Sequence, residues 1–179
     1  LDMIAACEQF NTDRERESLD TVDPGPLPAK VGLGAGVNTG KILVGNIGSE
    51  KKLGYDCLGD PVSVAARLES QTKSYGVLLI VGPDTVAQTQ DDFDWWELDN
   101  IAVKGKEQPL RIYTVHKQTP EHKTFLKNYY DGNWDICIRD INKYKSACIK
   151  MSAYYECMLY RLRSGKPNDW DGIYRATSK

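Results

Sequence analysis

The feature that most constrains this chain is a helix with both ends written into the sequence. Asp60-Pro61 sets a capping residue before a proline at the first helical position, where a missing N–H costs nothing, and Gly76 follows Tyr75 where a left-handed residue closes the last turn. Short apolar runs stand on either side of it. Residues 77–81 read as a buried strand, 84–88 as a short helix, 93–98 as a strand with aromatic cover, and 110–115 as a last strand. Upstream, residues 31–38 and 41–47 alternate apolar residues with glycine around Asn38-Thr39-Gly40, the pattern of a β-hairpin. The mixture predicts an α+β fold, an α/β sandwich.

The two ends of the chain have a different character. Residues 1–19 have helical spacing from the first residue with no capping signal before it, so the chain is expected to enter in mid-helix, and Asp23-Pro24-Gly25-Pro26-Leu27-Pro28 then forms a loop that cannot stay helical. Beyond residue 117, segments 125–130, 134–148 and 151–162 place aromatic and aliphatic residues three and four apart, the sign of amphipathic helices, and 170–174 is extended. This predicts a body over 1–117 and a helical tail over 118–179. The tail aromatics Trp134, Tyr144, Tyr154, Tyr155 and Tyr160 are read as helix-packing residues that dock on the body or on another protein.

Bulk properties narrow the function classes. At 179 residues, with 41% apolar and 27% charged residues, the chain supports one good core plus an appendage. A formal net charge of -2 without long like-charge blocks argues against nucleic acid and against an anionic membrane surface. The longest apolar run, around residues 76–81, falls far short of the roughly 18–20 residues a membrane span requires. Five cysteines, Cys7, Cys57, Cys137, Cys148 and Cys157, lack C-x-x-C spacing and read as reduced, buried thiols of a cytoplasmic protein. His116 and His122 stand at no ligand spacing from a cysteine, which argues against zinc.

Candidate chemistry gathers before and within the punctuated helix. The stretch ending in Gly40-Lys41 invites comparison with a phosphate loop, but Ala35 stands where its first glycine should be and Ile42 where a Ser or Thr should hold magnesium. Asp56 falls near the end of a strand. Ser63 and Arg67, four residues apart, project from one helical face and set a hydroxyl beside a guanidinium near a helix N-terminus. That arrangement suits a phosphate or ribose contact, and equally a surface arginine paired with a carboxylate. Spacing alone leaves the choice open.

Four motifs in order decide it by likeness. Val37-Asn38-Thr39-Gly40, Val44-Gly45-Asn46-Ile47-Gly48-Ser49, the block from Tyr55 through Asp56-Cys57-Leu58-Gly59-Asp60-Pro61 to Arg67-Leu68-Glu69, and Val103-Lys104-Gly105-Lys106 together resemble class III adenylyl and guanylyl cyclase catalytic domains over roughly residues 1–117. The resemblance implies a ferredoxin-like cyclase domain, incomplete at its N-terminus, that works as a head-to-tail pair with nucleotide at the dimer interface. It implies that Asp56 accepts a hydrogen bond from the adenine amino group, where guanylyl cyclases usually carry cysteine; a carboxylate facing guanine O6 would set acceptor against acceptor. It implies that Arg67 stabilises charge on the triphosphate as the ribose 3′-hydroxyl attacks, and that Lys104 contacts the terminal phosphates. Ser63 stands where the family usually has an asparagine that orients the ribose.

The expectation is therefore an adenylyl cyclase making cyclic AMP and pyrophosphate from ATP under Mg2+ or Mn2+, with a second cyclase domain, identical or not, as partner. The two metal-binding aspartates of the family, and its adenine-reading lysine, fall before Leu1, so no metal ligand is assigned in this chain, which alone is expected to be inactive. A cytoplasmic location is expected, within a larger protein that is itself soluble or membrane-bound. The alternative is a cyclase-like module for assembly or nucleotide sensing without turnover, which Ser63 favours.

Overall fold

A computed structural model describes residues 2–19, 29–49, 52–102 and 108–175, and divides the chain into two units, Leu1–Gly34 and Ala35–Lys179. In the first, helix α1 (Asp2–Leu19) holds residues 29–31, which take no regular secondary structure. Asn11 closes a two-bond clasp on Val31, its Nδ2 donating to the carbonyl at 2.9 Å and its Oδ1 accepting from the amide at 2.7 Å. Arg14 donates to the Ala29 carbonyl and Lys30 pairs with Glu15.

The second unit is built on a five-stranded mixed sheet. Strands β1 (Ala35–Val37), β4 (Leu79–Val81), β6 (Leu110–Val115), β5 (Trp95–Ala102) and β7 (Tyr174–Arg175) lie side by side in that order. The outer pairs, β1 with β4 and β5 with β7, are parallel, and the inner pairs are antiparallel. A separate antiparallel hairpin, β2 (Leu43–Ser49) with β3 (Lys52–Leu58), precedes helix α2 (Asp60–Tyr75). The α+β class read from the sequence is the class observed.

Two local readings are corrected. Gly59, not Asp60, takes the cap position of α2, and Asp60 lies in the first turn, where its carboxylate complements the helix dipole. The expected hairpin of 31–38 with 41–47 does not form: β1 pairs in parallel with β4, Gly36 opposite Ile80, while β2 pairs with β3. Alternation marks a segment as strand-like but does not name its partner. The glycine of β1 serves packing, because a Cβ on Gly36 would overlap the Ala65 carbonyl oxygen and the Glu69 amide nitrogen of α2. At the other end of α2, Gly76 closes the helix as read, with φ 61 and its N–H on the Lys73 and Thr72 carbonyls.

Downstream lie a short helix α3 (Pro83–Gln88) and then α4 (Pro120–Tyr130), α5 (Trp134–Arg139), α6 (Ile141–Ala147), a 3-10 turn (Ile149–Met151) and α7 (Ser152–Arg163). The run over 134–148 is thus two helices that meet at Asp140. One continuous core joins Val64, Leu68 and Tyr75 of α2 and Trp96, Leu98 and Ile112 of the sheet to Phe125, Tyr129, Tyr154, Tyr155 and Met158 of the later helices. Trp134, Tyr144, Tyr154 and Tyr155 are buried in it, whereas Tyr160 is exposed. Cys137 and Cys148 are buried; Cys7, Cys57 and Cys157 are half-buried, short of the full burial expected.

Candidate functional site

Three of the four candidate residues lie on consecutive elements. Asp56 is on β3, opposite Gly45 of β2, three residues before Gly59 turns the chain into α2. Its side chain is exposed, and its Oδ1 accepts from the Cys57 amide at 2.7 Å, which fixes one oxygen and leaves the carboxylate at the strand surface. Ser63 and Arg67 follow on α2, Ser63 exposed and Arg67 half-buried, four residues apart on one face as the spacing requires. Lys104 lies outside the described residues.

The path of α2 is held where it carries these groups. Asn38 donates its Nδ2 to the Pro61 carbonyl at 3.4 Å, and the bare backbone of Gly36 lets Ala65 and Glu69 settle directly on β1. Val64 and Leu68 fill the inner face of the helix, so that their neighbours Ser63 and Arg67 are turned away from the core. The hairpin that presents Asp56 has the opposite character. Leu43, on the face of Asp56, and Leu53 and Tyr55, on the opposite face, are 76%, 65% and 78% exposed, with no apolar cover among the described residues.

Among the described residues no group of three or more His, Cys, Asp or Glu side chains converges as a metal site would require. These residues therefore do not provide a cage for a divalent ion, and no step is assigned to one on them. A cavity of about 860 Å³ exists elsewhere, between the last turn of α2 and α7, walled by Lys73, Tyr160, Arg161, Trp170 and Tyr174. Neither Asp56, Ser63 nor Arg67 lines it, so its size does not bear on their chemistry.

A second polar cluster lies at the C-terminal end of α2, and the sequence reading missed it. Asp99 on β5 is wholly buried and accepts from the Tyr75 hydroxyl at 2.6 Å, the Arg161 guanidinium at 2.5 Å and the Asn100 amide at 2.7 Å. Burial pushes its carboxyl upward while Arg161 and the other donors pull it back; with three donors converging, we assign it as an ionised acceptor. Arg161 also donates to the Tyr129 hydroxyl at 3.2 Å and is flanked by the rings of Tyr75 and Tyr174 at 4.7 and 3.5 Å. The signal was present in α7: Arg161 stands three residues after Met158 and seven after Tyr154, a cation on the apolar stripe.

His122 in α4 is a third buried polar group. Its Nε2 lies 2.7 Å from the Glu97 carbonyl, which can only accept, so Nε2 carries the proton and Nδ1 accepts from the Tyr155 hydroxyl at 3.0 Å. Burial pulls its pKa down to about 3, so the ring is neutral at physiological pH.

Comparison with known proteins points the same way as the motifs. Residues 1–117 match the family model of the adenylate and guanylate cyclase catalytic domain. The "Adenylate cyclase, terminal-differentiation specific" of Dictyostelium discoideum is 29% identical over 134 residues, 69% of this chain and 6% of that protein. "Adenylate cyclase 1" of Rhizobium meliloti (strain 1021) is 38% identical over 80 residues, 45% of this chain and 12% of that protein. The chain thus spans a small part of the length of these curated relatives. The solved adenylyl cyclase CyaB from P. aeruginosa overlaps 65% of this chain and 56% of its own at 25% identity, with a TM-score of 0.48.

Proposed function

Because the chain belongs to the adenylate and guanylate cyclase catalytic-domain family over residues 1–117, we propose that it forms part of an adenylyl cyclase that converts ATP to cyclic AMP and pyrophosphate. The observation that carries this reading is the succession of an exposed Asp56 at the end of β3 and an α2 that turns Ser63 and Arg67 away from the core. In the reaction, the ribose 3′-oxygen forms a bond to the α-phosphorus, the bond from that phosphorus to the β-phosphate oxygen breaks, and pyrophosphate leaves. The 3′-hydroxyl proton passes to an acceptor that is not among the described residues.

Each residue contributes what its chemistry allows. Asp56, an acceptor, takes a hydrogen bond from the adenine amino group and disfavours guanine. Arg67 places fixed positive charge where the phosphate oxygens gain negative charge in the transition state. Ser63 offers one hydroxyl beside the ribose, and Lys104 neutralises the terminal phosphates. The family is generally metal dependent, and Mg2+ or Mn2+ supplies charge neutralisation at the phosphates when bound.

A second cyclase domain completes the site in this reading. The exposed Leu43, on the face of Asp56, and Leu53 and Tyr55, on the opposite face of the hairpin, support it, since exposed apolar groups of this kind gain stability when a partner covers them. The five cysteines are free thiols, which supports a cytoplasmic setting; among the described residues no helix is long and apolar enough to cross a membrane. A module without turnover is the second reading, favoured by Ser63 in the place of a ribose-orienting asparagine.

The test is cyclic nucleotide formation by the full-length parent protein, given ATP or GTP with Mg2+ or Mn2+, alongside Arg67→Ala. We expect cyclic AMP from ATP, and a loss of roughly 10²-fold or more in turnover for the variant with folding intact. No product from either nucleotide by a folded dimer establishes the second reading, and unchanged turnover in Arg67→Ala removes Arg67 from the mechanism.

A further inference from the structure

The helix that carries Ser63 and Arg67 is held at three places along its length, and the third belongs to the helical extension. Its first turn is tied to Asn38, and its middle rests on Gly36. Its last residue, Tyr75, is fully buried and bonded to Asp99, which Arg161 of α7 holds in turn. One residue further, a Cβ on Gly76 would come within 2.8 Å of the Ala153 backbone, so the end of α2 and the start of α7 are in backbone contact.

The sheet is shaped to build this third hold. Burial along β5 alternates until Leu98 and Asp99, which are both buried, and there the register with β6 shifts between Glu97 and Asp99. The bulge turns a carboxylate inward that strict alternation would leave on the face of Glu97. Tyr154 donates to the Leu98 carbonyl at 2.8 Å, securing the same bulge from α7. On the far side Tyr174 of β7 covers the guanidinium, and Tyr129 of α4 accepts from it. Helices α4 and α7 and strand β7 of the extension thus each place a group around the Asp99 carboxylate and the Arg161 guanidinium that meet the last residue of α2.

We infer that Tyr75, Asp99 and Arg161 are positioning residues through which the helical extension sets the orientation of α2, and with it the placement of Ser63 and Arg67. The inference rests on the adenylyl cyclase reading for its catalytic consequence, and on geometry alone for the coupling. Arg67 lies eight residues from Tyr75, about 12 Å along the helix axis, so the network touches no reacting atom. It acts on the direction of a rigid rod. A tilt at one end displaces a group needed in the transition state more than it alters ground-state binding, which lowers kcat and spares KM.

The experiment uses the full-length parent protein with Tyr75→Phe, Arg161→Met and Arg161→Lys. Ile141→Ala, a buried change in α6, serves as control for destabilisation alone. Tyr75→Phe keeps the ring under the guanidinium and removes only the hydroxyl. At a temperature where all are folded, we expect kcat to fall roughly threefold in Tyr75→Phe and roughly tenfold in Arg161→Met, with KM within about twofold; Arg161→Lys should recover part of the loss, and Ile141→Ala should keep kcat. Where Arg161→Met does not fold, Tyr75→Phe carries the test. Losses in proportion to the unfolded fraction, the control included, overturn the inference. If the wild-type protein has no turnover, the cyclase reading fails by itself, and amide exchange then decides the coupling. Faster exchange through the first half of α2 in Tyr75→Phe supports it, and a change confined to the last turn overturns it.

Discussion

The β2–β3 hairpin and the β5–α7 core are made of similar residues put to opposite use. The hairpin leaves Leu43, Leu53 and Tyr55 in solvent next to Asp56, while the core hides Trp96, Tyr129, Tyr154 and Tyr155 and even draws the ionic pair of Asp99 and Arg161 out of water, the latter 10% exposed. A chain that can bury a carboxylate and a guanidinium has apolar cover to spare for three residues on a hairpin. In the proposed reading these exposed residues are what a second cyclase domain covers, and the core is the frame that holds α2.

The sharpest way to probe the frame is acid. His122 is neutral in the fold with its pKa pulled down to about 3, against an ordinary 6.5 in the unfolded chain. Between these values only the unfolded chain takes up the proton, so unfolding becomes easier as pH falls from 6.5, and the effect levels off below 3. Roughly 4–5 kcal/mol of stability is at stake over that window. Urea unfolding followed from pH 7.5 down to pH 4 should show this slope in the wild type and a shallower one in His122→Asn. Equal slopes would mean that His122 does not govern the acid response.

Paired truncations compare the two regions directly. Phe125→Ala, in the core, should cost about 3–5 kcal/mol in the unfolding free energy, and Leu53→Ala, on the hairpin, about 0.5 kcal/mol or less. The smaller change should instead weaken self-association or pairing with a second cyclase domain, read by sedimentation. A large stability loss from Leu53→Ala would place the hairpin in this chain's own core and dissolve the contrast.

Legibility in the sequence followed the range of the interaction that decides each element. Pro61 and Gly76 fixed the ends of α2 locally, and both were readable, to within the one residue by which Gly59 replaced Asp60 as the cap. The pairing of β1 with β4 was not, since it depends on α2 lying across Gly36, a contact made by residues about 30 positions away. The break at Asp140 divides a run whose spacing suits one continuous helix. In the site, Asp56, Ser63 and Arg67 stood out through motif order, not through spacing, which a surface ion pair would satisfy equally. Asp99 was hidden by its setting between Glu97 and Asn100, in a stretch that reads as a polar strand end until the bulge turns it inward. Arg161 alone carried a local sign, a cation on an apolar stripe.

The most direct test of the central claim is the ratio of kcat/KM for ATP over GTP in the full-length parent protein, measured for the wild type and for Asp56→Cys. Asp56 as the adenine acceptor predicts strong preference for ATP in the wild type and a ratio lowered by roughly tenfold or more in the variant, with Arg67-dependent turnover retained. A ratio unmoved by the substitution would contradict base recognition at Asp56, and with it the placement of the nucleotide against β3 and α2.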